Sequence, residues 1–526
     1  MASGASIASE ALPNYDISGG RVSTSSDTTI KTDATNKSST SIDSSTSTSA
    51  LTSHTRSHDP TSDPSQGKPR SPSFPHNLRR PSNPQLNSLF RAFVAALLGV
   101  IRLPLWTAYY APRFTRPHPN WTWRQAVLVR VLKCYIYNVA MLEKATSLSL
   151  SPGLEGKRFV VMQQAKQETY IGVAATSKGV DANGNPDVVE PGLVGGTWYP
   201  APLVGPSGTH GGSAGQGTVE AATIRTTGPI ALHFHGGGYV LGAGRTMDAG
   251  IGARLLLKHA GVSHVLCPQY RLAASSNYDN QSSPSSSSSS SSSSPGRFPA
   301  ALQDAITSYA YLTKTLKIDS DQIVLSGDSA GGNLVLALLR YITDHGPAVG
   351  LEPPSCAWLW SPWVDIANSF DVPTINASFN NATDILTGDL LAWGARSFCG
   401  GVNDNKSGNK SNNKSNINRN NKINNGATVG KLQVDPNNPY ISPLHHPFST
   451  RTPVWVQTGE AEMFCLDNVR LAEAMKATKG NHVELWIERN AIHDVCLLGP
   501  LAGFGEEAKS AANRAKDFMQ TWKLKG

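Results

Sequence analysis

The chain has 526 residues and a formal net charge of +8, but its basic residues are scattered and accompany no DNA- or RNA-binding motif, which argues against nucleic acid as a partner. Its six cysteines are widely spaced without a CxxC pair, so we expect neither a zinc site nor a dense disulfide framework, although a disulfide or two would be compatible. The length allows a large buried core, yet low-complexity stretches occupy much of it.

Residues 1–85 form a head that is rich in Ser, Thr, Asn, Asp and Pro and poor in large apolar side chains. Such a segment cannot bury enough surface to offset the entropy that ordering would cost, so we predict that it is disordered. No apolar run follows Met1, which argues against a secretory signal.

The first apolar stretch comprises residues 89–111 and is about long enough to span a bilayer. Arg91 and Arg102 interrupt it and Pro104 bends it, which suits an interfacial or buried helix better than a span. Two interpretations stay open for residues 86–170: membrane-associated helices or cap helices that pack on a catalytic domain. A membrane-associated protein, for example in the endoplasmic reticulum, and a cytoplasmic one are both compatible with this segment.

Three inserts interrupt the remaining chain, and each has a strongly biased composition. Residues 179–219 are rich in Gly and Pro, residues 282–295 are almost pure Ser, and residues 403–426 are dominated by Asn. We predict solvated loops at all three places, grafted into a catalytic domain that spans residues 171–526.

Between the inserts, short apolar runs alternate with longer segments of helical periodicity. Helices of ten or more residues between strands imply crossover connections, and hence an α/β domain with a mainly parallel sheet flanked by helices. The predicted strands are Ile230–Phe234, Val262–Pro268, Gln322–Ser326, Ala357–Trp360, Val454–Thr458 and His482–Ile487, and the predicted helices are Met247–His259, Phe298–Leu316, Leu334–Ile342, Leu466–Ala477 and Glu506–Trp522.

A G-x-S-x-G motif places Ser329 between a predicted strand and a predicted helix. That context is typical of a nucleophilic serine, because a tight strand-to-helix turn lifts the hydroxyl above the sheet edge. A second match surrounds Ser213, but it lies within the Gly-rich insert and has no strand beside it. We therefore assign Ser329 as the nucleophile and attribute the motif at Ser213 to composition.

Residues 235–238 read His-Gly-Gly-Gly and directly follow the predicted strand Ile230–Phe234. Acyl transfer develops negative charge on the carbonyl oxygen, and backbone N–H groups aimed at that oxygen stabilise it. Glycines let the backbone approach a substrate closely, because they lack a Cβ atom. The motif predicts an oxyanion hole formed by the N–H groups of Gly237, Gly238 and Ala330.

These two motifs together resemble those of the hormone-sensitive-lipase-like esterases, which have the α/β-hydrolase fold. Three further segments fit the same pattern, although Ala274 and Ser275 replace a final Pro-Glu in the first: Tyr270–Ala273, Phe298–Ala301 with Asp304, and Ser361–Asp365. The resemblance covers roughly residues 225–525 and is similar to the fungal branch that includes steryl acetyl hydrolases and secondary-metabolite esterases. It implies a helical cap, here residues 86–170 and 366–400, and a catalytic triad in the order Ser, acid, His.

His493 is the histidine best placed to serve as the general base, because it lies in a short loop after a predicted strand. By the resemblance, the acid follows the strand Val454–Thr458. Glu462 aligns with the catalytic position, Asp467 more simply begins the next helix, and Glu460 ranks third. His233 and His235 form an HxH pair without an evident third ligand, so we expect no metal and no other cofactor.

The sequence thus favours a carboxylic-ester hydrolase that acts on a small or lipophilic ester, for example an acetyl ester. The alternative is a non-catalytic binding protein of the same fold, as the plant gibberellin receptors are. The complete set of Ser329, Glu462 and His493 candidates favours the enzyme, since the receptors lack a competent triad. The fold alone would not decide between the two.

Overall fold

The computed structural model describes residues 101–180, 186–203, 228–273, 278–279, 296–400 and 432–523. Several predictions fall outside these residues: the head 1–85, the first part of the apolar stretch (residues 89–100), Ser213, and the inserts 282–295 and 403–426.

A mixed eight-stranded sheet forms the centre of the described structure. Its strands are β1 (Phe159–Met162), β2 (Val194–Tyr199), β3 (Ile230–Phe234), β4 (His264–Gln269), β5 (Ile323–Asp328), β6 (Cys356–Trp360), β7 (Val454–Gly459) and β8 (Val483–Glu488). The spatial order is β8-β7-β6-β5-β3-β4-β2-β1. The six strands from β8 to β4 are parallel, whereas β2 runs antiparallel to both β1 and β4.

Helices cover both faces of this sheet. They are α1 (Trp123–Leu142), α2 (Gly250–His259), α3 (Ala300–Ala310), α4 (Ala330–Val349), α5 (Val372–Asn376), α6 (Gly388–Phe398), α7 (Cys465–Ala477), α8 (Gly499–Ala502) and α9 (Gly505–Lys523). The predicted α/β class is confirmed, and the six strands and five helices predicted after residue 225 are all present, with ends shifted by a few residues.

Alternation along the strands separates two hydrophobic cores, one on each face. In β6, Leu359 packs with the cluster that includes α3, α4 and α7, while its neighbours Trp358 and Trp360 pack with the cluster that includes α2 and α9. Successive strand side chains point to opposite faces, so an uninterrupted apolar strand can supply both cores. This burial on both faces explains why these segments read as continuous apolar runs rather than as alternating ones.

Two of the sequence predictions are wrong around β1 and β2. The insert 179–219 was expected to be a solvated loop, but it contains β2, all six residues of which are buried. The catalytic domain was expected to start at residue 171, yet β1 pairs with β2 in the main sheet and lies before that residue. The physical reason is local: a Cβ atom on Gly195 would lie 2.5 Å from Phe159, so glycine here permits close strand packing rather than a loop.

Helix α1 packs against α6 and α8. It begins with a capping box between Thr122 and Gln125, and its buried residues include Ala126, Val127 and Val129. Among the described helices, α1 passes the length and hydropathy criteria for a membrane span, with a mean hydropathy of 1.3 and 22% of that window buried. Its inner side is therefore occupied by the domain.

The helical residues 101–110 are the described part of the predicted apolar stretch, and they lie next to α1. The Arg130 guanidinium lies 5.7 Å from the ring centre of Trp106, and Arg102 contacts the Cys134 sulfur at 3.9 Å. Two short strand pairs, Leu148–Ser149 with Tyr278–Asp279 and Ser177–Val180 with Pro186–Val189, lie outside the main sheet.

Candidate active site

Ser329 lies in the turn between β5 and α4, with φ of 51° and ψ of −115°. Non-glycine residues rarely adopt this backbone conformation, and here the surrounding packing imposes it. A Cβ atom on Gly327 would lie 2.3 Å from the carbonyl oxygen of Gly331, so the turn closes only because glycine occupies that position. The turn thus has the strand–turn–helix context that the motif predicted.

The His-Gly-Gly-Gly segment leaves β3 and runs beside this turn. The Gly236 N–H donates a hydrogen bond of 2.7 Å to Asp328 Oδ2, and a Cβ atom on Gly236 would lie 3.1 Å from Ser329 Cβ. Gly237 and Gly238 have φ values of 105° and 62°, which favour glycine. The close passage of this backbone past the serine requires the absence of side chains.

The three N–H groups predicted to form the oxyanion hole are available to a ligand. Among the hydrogen bonds of the described residues, none has the backbone N–H of Gly237, Gly238 or Ala330 as its donor. Gly238 and Ala330 are buried, and buried N–H groups without a protein partner are rare. This arrangement suits an anionic oxygen placed above the Ser329 turn.

His493 lies in the loop after β8, and its ring faces the carboxylate of Glu462. The distance from His493 Nδ1 to Glu462 Oε2 is 3.5 Å, which is long for a hydrogen bond but short enough for an ion pair once the ring is protonated. Burial opposes the charged form of the ring, but Glu462, together with Asp384 and Asp328, outweighs it and raises the pKa of His493 above its usual value. The structure therefore brings the predicted base and acid together.

Glu462 follows β7 and receives hydrogen bonds from three side chains. Ser361 Oγ donates to Oε2 at 2.5 Å, while Asn468 Nδ2 donates to Oε1 at 3.1 Å and the Thr458 hydroxyl donates to the same oxygen. The carboxylate is fully buried, so these donors replace the water that it has lost.

The sequence analysis did not identify any of these three donors. Ser361 opens the segment 361–365 that carried part of the family resemblance, and this was the available signal. Its Oγ also accepts the Asp494 N–H at 3.0 Å, which joins the acid loop to the histidine loop.

The other two acid candidates lie elsewhere. Asp467 is in the first turn of α7, 3.9 Å from Arg470, and burial together with Asp365 raises its pKa to about 6. Glu460 Oε2 accepts the N–H of Asn490 at 2.9 Å, which stabilises the turn before the histidine loop. Within the described part of the chain, neither of these residues forms an ion pair or a side-chain hydrogen bond with His493.

The remaining histidines have ordinary structural surroundings. His345 packs on Tyr341 in α4, His482 packs on Trp522, and His445 lies 3.3 Å from Asp365. His446 is half-buried in the loop that precedes β7.

The HxH pair is divided between two sets of neighbours. His233 Nε2 lies 3.2 Å from Asp328 Oδ1, whereas His235 stacks on Tyr270, and burial lowers the pKa of His235 to about 4. In the described residues, no group of three or more His, Cys, Asp or Glu side chains could hold a metal ion.

Two carboxyl groups that the sequence analysis did not identify lie directly beside the nucleophile and the base. Asp328 precedes Ser329, Asp494 follows His493, and both are buried. Burial and, less strongly, the neighbouring Asp328 carboxylate raise the pKa of Asp494 well above its usual value. Asp328 in turn faces His233.

The candidate residues all follow the carboxyl ends of parallel strands. Ser329 follows β5, the glycine loop follows β3, Glu462 follows β7 and His493 follows β8. Carboxyl ends of parallel strands lie at one edge of a sheet, where α/β proteins bind their ligands. The backbone fixes this edge, because Ser329 N–H donates to Trp360 O and Ser329 O accepts from Trp363 N–H, both at 2.9 Å.

Comparison with known proteins agrees with this architecture. A family model described as an α/β-hydrolase fold matches residues 293–413. A provisionally named acetyl-hydrolase of Mycobacterium tuberculosis, LipR, is 26% identical over 261 residues, which are 50% of this chain and 64% of LipR. An acetyl-hydrolase of Streptomyces hygroscopicus is 26% identical over 50% of this chain and 68% of its own length.

A shorter match of 124 residues, 31% identical, links the chain to an arylesterase of Saccharolobus solfataricus and covers 23% of this chain and 33% of that protein. Among solved structures, an esterase of Pyrobaculum calidifontis is 18% identical with a TM-score of 0.44, covering 84% of this chain and 98% of its own. An esterase of the bacterial hormone-sensitive lipase family is 20% identical with a TM-score of 0.42 and covers 80% of this chain and 98% of its own.

The chain has the α/β-hydrolase fold. The predicted fold and the predicted resemblance to esterases of the hormone-sensitive-lipase type are confirmed by the family model and the curated relatives. The names of those relatives agree with the predicted class of enzyme, a carboxylic-ester hydrolase, whereas the fungal branch stays a prediction.

Proposed function

We propose that this chain is a carboxylic-ester hydrolase with Ser329 as nucleophile, His493 as general base and Glu462 as the acid that orients it. The pairing of buried His493 with Glu462, at the sheet edge that also carries the strained Ser329 turn, carries this proposal. A binding protein would have no need of a buried imidazole held against a carboxylate at that position.

In the proposed reaction, His493 removes the Ser329 proton while Ser329 Oγ attacks the ester carbonyl. The developing oxyanion is held by the N–H groups of Gly237, Gly238 and Ala330. His493 then gives its proton to the leaving alcohol, and an acyl-serine results. Water, deprotonated by His493, hydrolyses this acyl group and regenerates the serine. Glu462 stabilises the imidazolium that forms in each half-reaction.

The substrate that we propose is a small or lipophilic ester, and among the candidate substrates we rank an acetyl ester first. Two of the curated relatives carry the name acetyl-hydrolase, which supports this order. Helix α6 of the cap packs directly on the glycine loop, since a Cβ atom on Gly394 would lie 2.4 Å from the Gly238 carbonyl oxygen. Cap residues are therefore in a position to limit the size of the acyl group.

The test is hydrolysis of a series of p-nitrophenyl esters of increasing acyl length, with acetylated sterols alongside. We expect activity to be highest on short acyl groups and to fall about a millionfold in Ser329→Ala, because triad members act as a unit. Ser213→Ala is the matched serine control and should retain full activity. Hydrolysis that survives in Ser329→Ala but not in Ser213→Ala would move the nucleophile; no hydrolysis in the wild type would favour the binding-protein alternative.

We also propose that any membrane contact is interfacial and involves residues 89–111 together with the outer face of α1, which we define as Leu128, Val131 and Tyr135. These three side chains are 37%, 36% and 66% exposed and are spaced as one helix face requires. Residues 101–142 contain six Lys or Arg residues and no Asp or Glu, a charge that favours an anionic lipid surface. The compartment, whether the endoplasmic reticulum or the cytoplasm, stays a prediction.

A further inference from the structure

Residues 380–384 connect the cap to the loop that carries the proposed triad acid. Asn380 Nδ2 donates to the carbonyl oxygens of Glu460 and Glu462 at 3.0 and 2.9 Å. The Thr383 hydroxyl donates to the carbonyl oxygen of Ala461 at 2.8 Å. Three successive carbonyl groups of the acid loop are thus held by one short cap segment, although at least 76 positions separate the two segments in the chain.

Asp384 reaches both the acid loop and the histidine loop with a single carboxylate. Its Oδ2 accepts the N–H of Met463, the residue after Glu462, at 2.7 Å. Its Oδ1 accepts the N–H of His493 at 3.4 Å and that of Ile385 at 2.7 Å. The side chain is fully buried, so these N–H groups replace the water that would otherwise solvate the carboxylate. This bridging carboxylate is outside the proposed triad and makes no contact that the reaction itself requires.

We propose that Asp384 is a positioning residue that fixes the separation of Glu462 and His493. It does so by accepting hydrogen bonds from the backbone N–H of Met463, the residue after Glu462, and from the backbone N–H of His493 itself. The proposal rests on the proposed hydrolase function. It follows from the length of the contact at the triad: His493 Nδ1 and Glu462 Oε2 are already 3.5 Å apart, so a small shift of either loop would lengthen the separation further. A misplacement of about 1 Å in such a pair can cost about 100-fold in rate.

The same segment is anchored from the outer side of the cap. Lys133 of α1 donates to Asn381 Oδ1 at 2.8 Å and to the carbonyl oxygen of Asp384 at 3.2 Å. Lys133, the segment 380–384 and the two triad loops therefore form a continuous series of hydrogen bonds. A shift of α1 would reach the triad through this series, since every link in it is a direct contact.

Asp384 also acts on His493 electrostatically. The charged groups that influence the His493 ring are Glu462, Asp384 and Asp328, and each raises its pKa against the opposing effect of burial. Burial and, less strongly, the Glu462 carboxylate raise the pKa of Asp384 itself, while His493 and, more weakly, Lys133 favour its ionised form. Removing this charge should lower the pKa of His493, which moves the acidic limb of the kcat/KM profile to lower pH.

The experiment compares Asp384→Asn with Asp389→Asn in the full chain. Asp389 is half-buried in the first turn of the neighbouring helix α6 and is a matched control outside the segment. The amide of Asp384→Asn cannot accept two N–H groups on opposite sides, so we expect kcat on a short soluble ester to fall about 100-fold with KM little changed. The acidic limb of its pH profile should shift downward, which a purely structural loss would not cause.

Hydrogen exchange provides a second measurement that does not depend on activity. Amide exchange measured by mass spectrometry should rise in Asp384→Asn for peptides that cover residues 459–465 and 489–495, and should not change in Asp389→Asn. Asn380→Ala, which leaves the carboxylate in place, should loosen the acid loop alone. Should Asp384→Ala fail to fold, the isosteric Asn variant still carries the test.

The outcomes separate this proposal from the proposed function. No hydrolysis by the wild type would refute the hydrolase, whatever the exchange data show. Wild-type kcat, pH profile and loop exchange in Asp384→Asn would refute the positioning role, even if the enzyme is fully active. A fall in kcat with an unmoved acidic limb and unchanged exchange would likewise contradict it.

Discussion

The sheet edge that carries the candidate triad and the outer face of α1 differ in how far their side chains are buried. Ser329, Glu462 and His493 are only 7%, 0% and 2% exposed, and the Glu462 carboxylate has three internal donors. The outer face of α1, by contrast, leaves Leu128, Val131 and Tyr135 in solvent. The polar groups of the first region have their hydrogen-bond partners within the fold, whereas the second region presents apolar surface that only an external partner would cover.

The proposed catalytic residues are thus buried, whereas the residues proposed to contact a membrane are exposed. A change at the sheet edge should alter the rate and leave any membrane binding untouched, whereas a change on the outer face of α1 should do the reverse. The segment 380–384 contacts both α1 and the triad loops. Because the two regions are connected in this way, independent effects on hydrolysis and on membrane binding are not guaranteed and have to be measured.

After the loss of activity expected for Ser329→Ala, the largest effect is expected at the triad acid. Glu462→Gln should lower kcat by about 10⁴, because the imidazole loses the charge that orients and stabilises it. Asp467→Asn is the control and should cost less than about tenfold, with a small loss of stability, since its carboxylate lies at the start of α7. Steady-state kinetics decide the matter: reversed effects in the two variants would make Asp467 the acid.

The pH profile of the wild type should show the raised pKa of His493. The base must be neutral to accept the serine proton, so activity is lost as pH falls through this pKa. Because the pKa is raised, the acidic limb should lie above the ordinary value of about 6.5, with kcat/KM falling about tenfold per pH unit below it. Measurement between about pH 5 and 9 tests this; a limb well below pH 6 would contradict the Glu462–His493 pairing.

A smaller effect is expected for membrane binding. The double variant L128S/Y135S should bind vesicles of mixed zwitterionic and anionic lipid at least about tenfold more weakly, because burying one such side chain contributes about 1.5 to 3 kcal/mol. Hydrolysis of a short soluble ester should not change. Leu154→Ser is the matched control, since Leu154 is 95% exposed outside this face. Equal vesicle binding by the wild type, L128S/Y135S and Leu154→Ser in a flotation assay would contradict the proposed membrane contact.

The smallest effect is expected for the low-complexity segments, which belong to neither region. Deleting residues 1–85 and 282–294 should leave Tm within about 2 °C and activity on short esters intact, because such compositions supply no apolar burial. Thermal denaturation of each deletion variant provides the measurement. A larger fall in Tm would show that the deleted segment packs against the domain.

Much of the catalytic domain could be predicted from the sequence because its parallel strands are buried on both faces. Cys356–Trp360 reads as an uninterrupted apolar run, and Ile323–Asp328 begins with one. The glycines around Ser329 and at positions 236 and 237 are there because a Cβ atom would collide with backbone or with a neighbouring side chain. Local sterics and hydrophobic runs are properties of a short window, so a sequence motif can carry them.

Only the tertiary structure revealed the contacts made between distant segments. Strand Val194–Tyr199 looks like a Gly-rich loop until Phe159 is packed against it, and Asp384 looks like an ordinary acidic residue until both triad loops reach it. The hydrogen bond from Ser361 to Glu462 joins residues 101 positions apart. No periodicity or spacing encodes such contacts, because they depend on how the strands are ordered in the sheet and on where the cap settles upon it.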